Sequence, residues 1–172
     1  YTRSLELDPD YVSAYLNRGV IYDDKGNYDA AIADFNNVLR LEPNHARAYF
    51  NRAGSYDNKE NYASAIADYT RAIELKPDYA NAYNNRALVY EKIDEDQKAL
   101  ADFTRAIEID PTDEDFWYNR ANRYDKLERY DEAIADYNKS LEINPKAARS
   151  FNNRGLVFEK KGASEGSLST RR

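Results

Sequence analysis

Cysteine and methionine are both missing from this 172-residue chain, histidine and tryptophan occur once each, and apolar runs extend over only a few residues. Each absence excludes something. Without cysteine there is no disulfide framework and no thiolate metal site, a composition compatible with a reducing compartment and weakly favouring the cytoplasm. His45, the single histidine, sits beside a proline and has no neighbour at metal-ligand spacing, so no metal is expected. A bilayer-spanning helix needs roughly 20 apolar residues in a row, so direct membrane insertion is not expected. A net charge of -6 argues against binding a phosphate backbone. There is no glycine-rich phosphate loop, and carboxylate pairs such as Asp23-Asp24 lack a companion nucleophile or base. The expectation is therefore a protein that is not an enzyme and carries no cofactor. The missing methionine, with Tyr1 falling where a helix would be in mid-course, points to a piece of a longer protein.

What the chain has is a period. Its five prolines, Pro9, Pro43, Pro77, Pro111 and Pro145, are spaced 34 residues apart, and Asn-Arg-Gly or Asn-Arg-Ala begins eight residues after each. A fixed period of this size marks an array of helix pairs. Counting from the third residue after each proline gives complete units at 12–45, 46–79, 80–113 and 114–147. Residues 1–11 end a preceding unit, 148–161 form the first helix of a fifth, and 162–172, rich in glycine and serine, read as a disordered tail.

Within each unit, aromatic and small residues recur at i, i+3, i+4 and i+7, as in Tyr15, Gly19 and Tyr22, then Ala31, Phe35 and Val38. Small residues allow close helix approach and the rings fill the space beside them. A turn falls at Gly26, with Glu60, Asp94 and Glu128 in the matching places. Proline ends each second helix, and Asp10, Asn44, Asp78 and Thr112, directly after the prolines, are candidate caps of the next.

The order Tyr15, Gly19, Tyr22, Ala31, Phe35, Pro43 resembles the tetratricopeptide repeat pattern, and the resemblance extends over residues 1–161. It implies an all-α solenoid of antiparallel helix pairs, coiled as a right-handed superhelix whose concave groove is lined by first helices. One departure is systematic: the family's leucine before the small residue is arginine in every unit. Folding the hairpin about Gly26 sets Arg18 level with Asp34, and the same arithmetic pairs Arg52 with Asp68, Arg86 with Asp102 and Arg120 with Asp136. A guanidinium in an apolar interface needs such a carboxylate. Spacing alone leaves an aspartate of the adjacent unit as the alternative partner.

Asparagine recurs in mid-helix at Asn17, Asn51, Asn85, Asn119 and Asn153, although it is a mediocre helix former. Its amide both donates and accepts, so such a row could hold the backbone of an extended peptide. The row resembles the asparagine ladder of protein O-GlcNAc transferase repeat domains. The other reading is that each amide bonds a neighbouring helix and stabilises stacking. Leu16, Val20, Phe50, Leu88, Tyr118 and Asn122 are the expected side-chain contacts around it. Asp23, Asp57, Glu91, Asp125 and Glu159 place an acidic residue in each unit, either a groove rim selecting a basic ligand or a solvated edge. The family's carboxylate clamp for acidic tails is not matched, because Leu16, Phe50, Asn84, Tyr118 and Asn152 occupy the place of its first lysine.

The sequence thus describes a non-catalytic scaffold for an extended segment of another protein. Two further expectations are self-association through the open ends, where Phe151, Leu156 and Phe158 lack a following helix, and service as the substrate-recruiting region of a larger enzyme.

Overall fold

A computed structural model describes residues 1–169, with side chains through residue 163. The described residues are helical, without strands, and the protein is an all-α helical repeat solenoid. The chain divides into two compact units, Tyr1–Glu95 and a second that begins at Asp96. The first holds α1 (Thr2–Leu7), α2 (Val12–Asp24), α3 (Tyr28–Leu41), α4 (Ala46–Asn58), α5 (Tyr62–Leu75) and α6 (Ala80–Lys92). The second holds α7 (Asp96–Ile109), α8 (Glu114–Lys126), α9 (Tyr130–Ile143) and α10 (Ala148–Ser169).

The 34-residue period is visible in the turns. Gly26 has φ of 73°, and Glu60, Asp94 and Glu128 hold φ of 59°, 58° and 58° in the same place. A left-handed backbone costs an L-residue roughly 1–2 kcal/mol, so three of the four turns carry strain that glycine avoids. Asn61, directly after Glu60, offsets part of it by accepting from the backbone N–H of Ser64 to cap α5, and Asn27 caps α3 in the same way by accepting from Ala30.

At the proline turns the helix start differs from the sequence expectation by one residue. Asp10, Asn44, Asp78 and Thr112 are not the caps; Tyr11, His45, Tyr79 and Asp113 occupy those positions. The reason is a backbone turn across the proline, in which the N–H groups of Tyr11, His45 and Tyr79 donate to the carbonyls of Asp8, Glu42 and Lys76. Asp8 and Asp110 also accept from the N–H of Asp10 and Thr112, closing a side-chain turn across the proline. His45 Nδ1 then accepts from Ala48 N–H at 3.1 Å, which gives the lone histidine a capping role.

Paired helices approach through the small residues. At Gly19 a Cβ would fall 2.6 Å from Phe35 Cε1, so the ring of α3 occupies the space a side chain on α2 would need. In the first unit Ala53, Ala65, Tyr69 and Ala72 form a buried cluster backed by Tyr49, Tyr56 and Tyr62. The second unit repeats it with Ala121, Ala133, Tyr137 and Val157.

The tail expectation is corrected over most of its length. α10 continues through Ser169 as one helix of 22 residues. After Pro145 there is no proline to stop it, and lysine, alanine, glutamate and leucine separate its glycines. The rest of the expected tail, 170–172, lies outside the described residues. Among the described residues no helix is long and apolar enough to cross a membrane.

Candidate functional site

The arginine that replaces leucine is held from three directions. Arg18 donates through Nε and Nη2 to Asp34 at 2.7 and 2.8 Å, Arg52 to Asp68 at 2.6 and 2.7 Å, and Arg120 to Asp136 at 2.7 and 2.9 Å. These are fork-to-fork pairs within one hairpin. The remaining Nη1 reaches back 16 residues to the preceding repeat: Arg52 to Asn36 at 2.5 Å, Arg86 to Thr70 at 2.8 Å, Arg120 to Thr104 at 3.0 Å and Arg154 to Asn138 at 2.5 Å. Aromatic rings flank the guanidinium, with Tyr49 and Tyr56 centroids 5.4 and 5.9 Å from Arg52, and Trp117 and Tyr124 at 5.2 and 5.8 Å from Arg120. One side chain therefore ties its own hairpin to the previous one, which suits arginine where the family pattern has leucine.

The asparagines differ in their surroundings, and one difference lies 16 residues earlier in the chain. That position alternates between Phe35, Tyr69, Phe103 and Tyr137. Where it is tyrosine, an asparagine amide counters part of the effect of burying the hydroxyl, Asn85 beside Tyr69 and Asn153 beside Tyr137, and Asn85 Oδ1 accepts from Asn84 at 3.1 Å. Asn153 Nδ2 also donates to Tyr118 Oη at 3.2 Å and Asn122 Oδ1 at 3.0 Å, while the Tyr137 hydroxyl donates to Asn122 at 2.6 Å. Burial pushes both tyrosine hydroxyls well above their ordinary value, and the asparagine amides oppose this only in part. Phe35 has no hydroxyl. Asn51 Nδ2 is buried without a hydrogen-bond partner.

Asn51 also lines a cavity of about 220 Å³ in the first unit. Val20, Asp23 and Asp24 of α2 form one side; Phe50, Asn51 and Gly54 of α4 form another. Phe35, Tyr69 and Asn85 complete it from α3, α5 and α6. Phe50 is fixed by edge contact with Tyr69, centroids 5.7 Å apart, and by stacking on Tyr79 at 4.8 Å. Gly54 keeps the floor open: a Cβ there would meet only the Tyr69 hydroxyl, at 3.8 Å.

The other candidate residues divide. Leu16 is buried among Phe35, Val38 and Ala48, so it packs the core and is not presented to a ligand. Asn84 is likewise buried and donates to Asn85. Leu88 is half-buried. Tyr118 lies against Tyr137 and beneath Arg149, whose guanidinium is 4.3 Å from the ring centroid. Asn17 is half-buried.

In the acidic row, Asp57 accepts both of its bonds from Lys92 at 2.7 and 2.8 Å, and Asp125 from Lys160 at 2.8 and 2.7 Å. Each carboxylate is thus paired with a lysine 35 residues on. Asp23 differs: it accepts from the buried Ser55 hydroxyl at 2.5 Å, and the residue 35 positions on is Asn58. Glu91 is half-buried and Glu159 exposed. Both the Phe/Tyr alternation and the lysine missing at Asn58 stood in the sequence. Neither is a motif, and their meaning depends on which side chains meet across repeats. No cluster among the described residues could hold a metal ion.

Models of the tetratricopeptide repeat family match residues 1–36, 16–78, 80–113 and 103–135, and a TPR repeat model matches 121–162. The chain belongs to the tetratricopeptide repeat family, whose fold is that of a protein-interaction scaffold. Among solved structures it is similar to MamA, at 30% identity over 87% of each chain with a TM-score of 0.79. YrrB, described as a TPR protein with an unusual peptide-binding site, is 22% identical over 98% of this chain and 87% of its own, with a TM-score of 0.76. The Arabidopsis OM64 TPR domain is 24% identical over 67% of this chain and 95% of its own, TM-score 0.64. No curated protein matches the sequence.

Proposed function

We propose that the chain is a non-catalytic scaffold that binds an extended segment of another protein along its first helices. The observation that carries this reading is the Asn51 amide. A buried donor without an acceptor costs about 1–3 kcal/mol, a cost that a ligand carbonyl would relieve on binding. Asn51 then serves the ligand, with Asn17 and Asn119 as further contacts of the row. Asn85, which accepts from Asn84, and Asn153, which donates to Tyr118 and Asn122, serve chiefly the stack. Val20 and Phe50 select side chains.

The test is affinity capture from source extract with the wild-type chain, Asn51→Ala and Asn153→Ala, each checked for folding by circular dichroism. The reading expects partners held by the wild type and lost by Asn51→Ala, whose melting temperature is unchanged or higher. Asn153→Ala is expected to melt earlier and keep its partners. Equal recovery by the wild type and Asn51→Ala would overturn it.

A second reading, self-association, is favoured by one observation: Phe151, Leu156 and Phe158 of α10 are all about half exposed. Light scattering that shows mass rising with concentration, and a constant mass for Phe158→Ser, would support it.

A further inference from the structure

We propose that the cavity beside Asn51 takes a basic side chain, arginine or lysine, from the bound segment. This deepens the extended-segment reading and rests on it. The argument begins with charge. Asp57 and Asp125 are each neutralised by a lysine of the following repeat, but Asp23 is satisfied only by the Ser55 hydroxyl and Asp24 pairs with no cation among the described residues. Two carboxylates at one edge of the cavity therefore keep their charge uncompensated, and Asp24 is exposed to an incoming cation.

The walls supply the second part. Phe50 and Tyr69 present ring surface, and Phe35 closes the end. A long aliphatic stem lies well against such rings while its charged head stays at the polar mouth. A cation beside an aromatic face is further favoured by the ring quadrupole. A glutamate would face Asp23 and Asp24 and be repelled. A short side chain would leave the cavity unfilled.

The third part is register. Asn51 belongs to the α4 side of the cavity and the carboxylates to the α2 side; a turn of its unpartnered amide toward the cavity would let Nδ2 donate to a main-chain carbonyl of the ligand. One residue of an extended chain can thus use both features, its carbonyl on Asn51 and its side chain running toward Asp24. Gly54 makes room for it, since nothing but the Tyr69 hydroxyl approaches its open face.

The experiment uses minimal probes on the 15N-labelled chain: the N-acetyl, N′-methylamide derivatives of arginine, lysine, norleucine and glutamate. Binding is read from the Gly54 backbone amide and the Asn51 side-chain amide. The arginine and lysine probes should give saturable shifts, with norleucine about tenfold weaker and glutamate inactive. Tighter binding of arginine than lysine would assign the ligand head as a guanidinium; the reverse would assign an ammonium. Asp24→Asn should weaken the cationic probes several-fold and leave norleucine unchanged. Gly54→Leu, which fills the cavity and replaces a mid-helix glycine with a better helix former, should abolish binding without lowering the melting temperature. Norleucine binding as well as arginine, or arginine shifts that survive Gly54→Leu, would overturn the proposal. Partner capture separates the two levels. A Gly54→Leu chain that keeps a partner requiring Asn51 refutes the basic-residue pocket and leaves the extended-segment reading standing. Arginine binding by a chain whose partners ignore Asn51→Ala does the reverse.

Discussion

At Asn51 and at Asn153 the same residue occupies the same position of the repeat, yet the two side chains are in opposite situations. Asn153 donates to Tyr118 and Asn122, and the Tyr137 hydroxyl donates to the same Asn122. Asn51, behind Phe35, has a buried donor with no partner and a cavity beside it. Three neighbours separate the two cases: Tyr118, Asn122 and Tyr137 stand around Asn153, and Leu16, Val20 and Phe35 hold the corresponding places around Asn51. A repeated residue therefore need not have a repeated role: the helix fixes where the amide points, and the neighbouring side chains decide whether the stack or a ligand receives it.

The arginines are common to both regions, so their removal should not discriminate between them. Arg52→Ala and Arg120→Ala each strand a buried aspartate and should lose about 3–5 kcal/mol, read as a lower urea midpoint. A large difference between the two would show that the regions differ in more than these neighbours. The glycines should discriminate strongly. Gly19→Ala drives a methyl into Phe35 and should destabilise by about 1–3 kcal/mol. Gly155→Ala, with nothing within 4 Å, should stabilise by up to about 1 kcal/mol.

Exchanging the rings addresses the comparison itself. Tyr137→Phe should cost about 0.5–1.5 kcal/mol by removing the bond to Asn122. Phe35→Tyr should recover a similar amount by giving Asn51 a partner, and should lower partner capture. The smallest effect is that of pH. Tyr69 and Tyr137 have hydroxyls raised above the unfolded value by burial, so their contribution is complete below about pH 10 and declines as pH rises beyond it. Tyr137→Phe should move the onset of alkaline unfolding, followed by circular dichroism, to higher pH.

The helix pairs, turn positions and Arg–Asp spacing were legible in the sequence because each follows from a 34-residue period and helical geometry alone. Helix starts were not, since a backbone turn closes across the prolines and shifts the cap by one residue. Leu16 read as a groove residue because it matches Phe50, but in the structure it is buried against Phe35. The acidic row read as uniform because its residues are uniform; the lysines that neutralise Asp57 and Asp125 belong to the next repeat. What failed in each case was which groups meet in three dimensions, which a one-dimensional period does not specify.

The most direct measurement follows the side-chain amides of Asn51 and Asn153 by NMR while N-acetyl-arginine-N′-methylamide is added to the wild-type chain and to Phe35→Tyr. The account predicts that the Asn51 pair shifts in the wild type and stays fixed in Phe35→Tyr, while the Asn153 pair moves in neither. Equal movement of Asn51 in both proteins, or of Asn153 alongside it, would contradict the claim that the neighbouring side chains decide which asparagine meets a ligand.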